Sequence, residues 1–175
     1  MGEFRETLVR SETNMSSTAF HTRASKGTTV VEFALVLPIF ALLLCAIIEF
    51  GYYFFVEHTI QFATREGTRI ALVGATMSGL PPTAQNREAA IVQTIQSNAS
   101  TVAGAGDLSI SIFPVNSDYS NPTGWSTKQD PGAGGQYMRV VVQYTFHFWT
   151  PLIGNFFPSG QSVITAQALY HNELF

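Results

Sequence analysis

Apolar residues run almost without interruption from Val30 to Val56, and this run dominates the chain. Only two charged residues, Glu32 and Glu49, lie within it. As an α-helix the run would be about 40 Å long at about 1.5 Å per residue, and about 20 such residues suffice to cross the hydrocarbon core of a bilayer. The pattern therefore predicts a transmembrane helix.

The helix is predicted to continue beyond the bilayer. After Val56, apolar residues recur at spacings of three and four, which is typical of a helix with one buried face. These residues are Ile60, Ala63, Gly67, Ile70 and Ala71. Gly79 and the Pro81-Pro82 pair are expected to end this element. Residues 83–103 repeat the helical spacing and predict a second helix. Its predicted inner face is formed by Ile91, Ile95, Ala99 and Val102.

Three later segments alternate apolar and polar residues, which predicts strands with one buried face. Their inward residues are Leu108, Ile110 and Ile112 in the first, Val140, Val142, Tyr144, Phe146 and Phe148 in the second, and Ile164, Ala166, Ala168 and Tyr170 in the third. Residues 150–160 are predicted to form an apolar loop. Its Phe156 and Phe157 pack on the sheet or contact the membrane or another subunit. In the turn-rich loop 116–135, Trp125 either belongs to an exposed contact surface or holds the loop to the core.

Together these elements predict an α+β fold. A long N-terminal transmembrane helix extends into a small domain with one further helix and an antiparallel sheet of about three strands. The predicted divisions are a cytoplasmic leader at 1–27, the membrane helix and its extension at 28–78, and an extracytoplasmic domain at 79–175. Met15 is an alternative start to Met1.

The charged residues on either side of the apolar run predict the orientation of the helix in the membrane. Arg23 and Lys26 precede the apolar run and Glu57 follows it. Because positive charge is retained on the cytoplasmic side, the N-terminus is predicted inside and the rest of the chain outside, as a single-pass protein of the cytoplasmic membrane. The net charge of -3 offers no electrostatic basis for binding nucleic acid.

The sequence predicts no catalytic site, metal or cofactor. The histidines are scattered without metal-ligand spacing, and Cys45 is the single cysteine. The glycine-rich stretches lack the following helix and lysine of a phosphate-binding loop. We therefore expect a protein that acts through packing rather than as an enzyme.

The presence of Glu32 in the apolar run requires an explanation, because a charged residue inside a bilayer costs about 2.5–3.5 kcal/mol on insertion scales. Two interpretations remain open. In one, its side chain reaches the cytoplasmic interface, towards Lys26. In the other, the chain is cut before Thr28, and Glu32 pairs with the new amino group of a neighbouring subunit.

A wider pattern favours the second interpretation. Gly27, four intervening residues and Glu32 open a long apolar helix, as in the processing site of type IV prepilins. The stretch GTTVVEFALVLPIFALLLCAIIEFG, followed by FATREGTRIAL, resembles the TadE-like minor pilins, or pseudopilins, of tight-adherence pili. Members of that family typically have a glycine, a short gap and then VEFALVLP.

The resemblance implies cleavage between Gly27 and Thr28 by a membrane-embedded prepilin peptidase. The mature chain would then enter or prime a thin Tad-type pilus that supports adherence and biofilm formation. Its partners would be the peptidase, other pilin subunits, the Tad assembly platform and the lipid bilayer. The alternative is a single-pass anchored protein that is never cleaved and whose outer domain is a binding module.

Further residues are candidates for assembly. Pro38 removes a helical hydrogen bond and is a candidate kink. Glu49 lies about 25 Å along the helix from Glu32 and is predicted at the outer interface. Arg65 and Arg69 share a helix face. We predict that Glu49, Arg65 and Arg69 contact neighbouring subunits, although a solvated edge is the simpler interpretation of the two arginines.

Overall fold

The computed structural model describes residues 24–76, 79–81 and 83–174, with side chains from residue 27 onward. The predicted leader, apart from the backbone of residues 24–27, therefore lies outside the described residues, as do Met15, Arg23 and the side chain of Lys26. The chain divides into two compact units, Met1–Ala41 and Leu42–Phe175, and each is described by itself.

The first helix, α1, spans Ala24–Leu72 and includes Pro38. The predicted continuation beyond Val56 is confirmed, and Ile60, Ala63 and Ala71 are buried. The helix ends earlier than the glycine and prolines at 79–82 indicate. Gly74 has a φ of +63°, and its N–H bonds to the carbonyl of Ala71 at 3.1 Å. A glycine in this left-handed conformation is a common helix terminator because it lacks a Cβ.

The second helix, α2, spans Ala84–Ala99 and confirms the second predicted helix. The Thr83 side chain caps it by accepting a hydrogen bond from the N–H of Asn86. The predicted inner residues Ile91, Ile95 and Ala99 are buried, and Val102 is buried just after the helix ends.

Gly67 lets α2 approach α1 closely. A Cβ added at Gly67 would lie 2.8 Å from Ile95 Cδ1 and 3.4 Å from the carbonyl oxygen of Ile91. The two helices therefore meet at a position where only hydrogen fits.

The strands form one antiparallel sheet in the order β1–β2–β3, as predicted. They span Leu108–Pro114, Tyr137–His147 and Gln161–His171. In the register, Ile112 faces Val140 and Val140 faces Ala168. β2 ends at His147, so Phe148 lies beyond the strand rather than within it as predicted. The core lies between the inner faces of the two helices and one face of this sheet.

The alternation predicted for β1 does not hold, because both of its faces are covered. Ser111 and Phe113 are buried in addition to the predicted inward residues. The Ser111 hydroxyl donates to the carbonyl of Ser126 at 2.7 Å, and the rings of Phe113 and Trp125 lie 5.6 Å apart. Trp125 therefore holds the loop 116–135 to the core, which was one of the two alternatives.

Arg87 ties the end of the same loop to α2. It is 4% exposed and donates to the carbonyls of Gly132 at 2.8 Å and Pro131 at 3.2 Å. Burial lowers the pKa of the guanidinium, while Tyr170 and Asp130 oppose that shift. The side chain of Asn172 also donates to Pro131, at 3.0 Å. The loop and the C-terminal residues are thus joined to α2.

Candidate assembly surface and the Glu49 contact

The N-terminal part of α1 exposes apolar side chains all around the helix. Every large apolar side chain from Val30 to Ile48 is exposed. The most apolar window has a mean hydropathy of 2.7, and none of it is buried. As a helix, this stretch is about 28 Å long, close to the thickness of a bilayer core. Among the described residues, α1 is the one helix whose length and composition suffice to cross a membrane.

The predicted processing and pairing residues lie on this exposed stretch. Gly27, Thr28 and Glu32 are all exposed. Among the described residues, no atom other than those of its chain neighbours and its own helix backbone lies within 4 Å of a Cβ built on Gly27. Glu32 is the only acidic residue between Gly27 and Ile48.

Glu49 marks an abrupt change of environment on α1. Ile48 is 66% exposed, whereas Glu49 is 2% exposed. Its carboxylate accepts hydrogen bonds from the backbone N–H groups of Trp149 and Thr150, the latter at 3.1 Å. These donors lie at the start of the short helix α3, Pro151–Gly154, for which Thr150 is the N-cap residue. Glu49 thus joins α1 to the β2–β3 connection.

An aromatic cluster surrounds this contact, formed by Phe50, Tyr52, Tyr53, Phe146, Phe148, Trp149 and Phe157. Tyr52 stacks on Trp149 with centroids 4.9 Å apart, and Tyr53 meets Phe146 edge to face at 5.2 Å. Such pairs each contribute about 0.5–1.5 kcal/mol beyond the area that they bury. The cluster and Glu49 therefore fix the β2–β3 connection against α1.

The β2–β3 connection is more ordered than a loop. The predicted loop at 150–160 contains α3 and a 3₁₀ turn at Pro158–Gly160. Phe157 packs on Phe148 with centroids 4.1 Å apart, whereas Phe156 is 81% exposed. Phe157 therefore packs on the domain, which was one of the alternatives predicted for it.

The contacts predicted between subunits stay predictions. Arg65 and Arg69 are both exposed, and Arg69 pairs with Glu66 on the same helix at 3.0 Å. An exposed pair of this kind contributes at most about 1 kcal/mol. Glu49, in contrast, lies inside the folded chain rather than at an open interface. Sequence reasoning missed its donors, because they lie about a hundred residues away and carry no local signal.

Among the described residues, no group of three or more histidine, cysteine, aspartate and glutamate side chains could hold a metal ion.

We predict that Glu49→Gln weakens the attachment of the β2–β3 connection to α1. The free energy of this contact should fall by about 1–2 kcal/mol, since a neutral acceptor replaces a charged one and the amide NH₂ group faces backbone donors. Hydrogen exchange of the amides in 148–157, measured by mass spectrometry in detergent, should accelerate about 5–30-fold. Glu57→Gln, at a half-buried glutamate of the same helix, is the matched control. Unchanged protection in Glu49→Gln would show that the carboxylate does not hold the connection.

Comparison with known families adds one finding. A family model described as TadE-like protein matches residues 27–69. The match begins at Gly27, and it confirms the resemblance of this segment to TadE-like proteins. Residues 70–175 lie outside it. No curated protein and no solved structure matches the chain.

Proposed function

We propose that this chain, which is TadE-like over residues 27–69, is a structural or priming subunit of a Tad-type type IV pilus. In this proposal a prepilin peptidase cleaves it, its N-terminal helix assembles it with other pilin subunits on the Tad platform, and the pilus supports adherence and biofilm formation. One observation carries the proposal. The family match starts at the glycine of the prepilin pattern and includes the apolar stretch 30–48, whose large side chains are exposed and whose one acid is Glu32.

The first step is proteolytic. The leader lies in the cytoplasm, and the peptidase cuts the bond between Gly27 and Thr28. A glycine suits this position because the peptidase must approach the backbone closely, and a Cβ at Gly27 would have no close contact with the described residues outside its own helix. The cut leaves a positively charged amine at Thr28, four positions before Glu32.

The second step is assembly through the helix. In the bilayer, lipid tails cover the apolar surface at residues 30–48, and in a filament the helices of neighbouring subunits replace them. Packing between helices then gains little from the hydrophobic effect, so polar contacts decide the register. Pairing the Thr28 amine of one subunit with Glu32 of the next neutralises two charges in a medium of low dielectric constant.

The third element of the proposal is location. The subunit starts in the cytoplasmic membrane with its N-terminus inside, and the folded domain after Glu49 lies outside. Arg65 and Arg69 are exposed on the helix beyond the bilayer, where they are available to acidic groups of other subunits. Incorporation into the pilus moves the mature chain from the membrane to the cell surface.

The mass of the mature chain tests this function. In cells with an active prepilin peptidase, we expect the purified protein to begin at Thr28. Gly27→Phe should retain the leader, because the side chain blocks access to the bond. Gly51→Phe, at an exposed glycine of the same helix with no neighbour within 4 Å, should still be cleaved. If the wild-type chain keeps its leader while another substrate of the peptidase is processed, the uncleaved anchored binding module is the correct function.

A further inference from the structure

The β2–β3 connection exposes three large apolar side chains to the surroundings of the domain. Trp149 is 66% exposed, Leu152 48% and Phe156 81%. None of residues 148–160 is charged. We call these three side chains the loop patch. A cluster of exposed large apolar residues usually marks a surface that binds a partner or a membrane.

The position of the loop patch along α1 is set by Glu49. Its carboxylate binds the backbone N–H of Trp149, and Tyr52 stacks on the Trp149 ring. The loop patch therefore lies beside the turn of α1 at which exposure changes, from 66% at Ile48 to 2% at Glu49. This is the end of the stretch whose length and exposure suit a bilayer core.

Four consecutive backbone N–H groups of the connection have hydrogen-bond partners within it. The N–H groups of Gly154, Asn155, Phe156 and Phe157 all donate to carbonyls within the connection, at 2.8, 3.1, 3.0 and 2.9 Å. An unsatisfied backbone group costs several kcal/mol in hydrocarbon, so a loop enters the interface more readily when its own bonds are made.

We infer that the loop patch inserts into the outer interface of the bilayer and forms a second membrane contact of this chain, beside α1. The occupant is lipid because the loop patch adjoins the apolar surface of α1 at its outer end, carries no charge and includes a tryptophan, a residue enriched at the membrane–water boundary. The inference rests on the membrane span in the proposed function but not on cleavage or pilus assembly. Its consequence is that the domain is held at a fixed height on the membrane until the subunit is extracted.

Tryptophan fluorescence tests the inference, because the chain has only Trp125 and Trp149. The full-length Trp125→Phe variant, placed at one chain per lipid nanodisc, reports on Trp149 alone. Lipids brominated high on the acyl chain should quench most of its fluorescence, and soluble acrylamide should quench little. The Trp149→Phe variant reports on Trp125, which packs on Phe113, and bromolipid should leave it bright.

Two substitutions compare the effect of removing an apolar side chain inside the loop patch with the effect of removing one outside it. In the Trp125→Phe background, Phe156→Ser should lower quenching by bromolipid and raise quenching by acrylamide. Leu174→Ser removes another exposed apolar side chain, 89% exposed and outside the loop patch, and should change neither. If acrylamide quenches Trp149 and bromolipid does not, the inference is wrong.

If the loop patch binds a partner other than lipid, the quenching of Trp149 should differ. If Trp149 becomes protected from acrylamide only when two or more chains share a disc, the loop patch binds a second copy and the lipid assignment fails. Co-elution of the chain with the discs reports the membrane span separately. The uncleaved Gly27→Phe chain should give the same quenching as the mature chain, so a failure of processing does not count against this inference.

Discussion

Glu32→Gln is expected to leave cleavage intact and to remove most of the subunit from pili. Glutamine keeps the size and hydrogen-bonding capacity of the side chain but loses its charge. In the filament, the Thr28 amine of the neighbouring subunit would then be buried without a partner. Breaking a buried ion pair costs about 3–5 kcal/mol, which corresponds to a loss of incorporation of at least about 100-fold.

The ratio of mature chain in sheared pili to mature chain in membranes, measured by quantitative mass spectrometry, checks this expectation. Glu57→Gln is the control, because it makes the same substitution on the same helix beyond the apolar run, where Glu57 accepts a hydrogen bond from Gln61 at 3.1 Å. An unchanged ratio for Glu32→Gln would mean that Glu32 only reaches the cytoplasmic interface, the simpler interpretation of its position.

Gly67→Leu is expected to destabilise the folded domain by about 3 kcal/mol, at the upper end of overpacking effects. Even a Cβ at this position would lie 2.8 Å from Cδ1 of Ile95 and 3.4 Å from the carbonyl oxygen of Ile91. A leucine therefore forces α2 away from α1, and the buried Ile91 and Ile95 lose contacts with it. For a chain of this size, about 3 kcal/mol corresponds to a decrease of about 6–12 °C in Tm.

Thermal unfolding in detergent, followed by near-ultraviolet circular dichroism, measures this decrease. Gly51→Leu is the matched control, since Gly51 lies on the same helix, is exposed and would have no atom within 4 Å of an added Cβ. Equal Tm values for the two variants would show that α2 does not depend on a close approach at Gly67.

Elements whose burial repeats with a regular period were predictable. The spacing of Ile60, Ala63 and Ala71 predicted that α1 continues as an amphipathic helix, and those residues are buried. The alternation of Ile164, Ala166, Ala168 and Tyr170 predicted β3, which spans Gln161–His171. A segment that buries one face must place apolar residues at the period of its own backbone, so this information is local.

Features that depend on distant partners were not predictable. β1 was predicted to have one polar face, yet Ser111 and Phe113 are covered by the Trp125 segment of a loop that carries no regular pattern. The burial of Arg87 was not predicted either, and its guanidinium donates to the carbonyls of Pro131 and Gly132. No periodicity within either segment records such a contact.

The features of the candidate site also fall into two groups, those encoded locally and those that depend on distant partners. The sequence alone determined the exposed apolar helix, the prepilin pattern at Gly27 and the position of Glu32, because hydropathy and spacing are properties of contiguous residues. Only the tertiary structure decided that Glu49 is buried against Trp149 and Thr150, and that the β2–β3 connection lies where the apolar surface ends. The physical reason is that a hydrogen bond joins residues by their positions in space, and the fold alone brings positions 49 and 149 together.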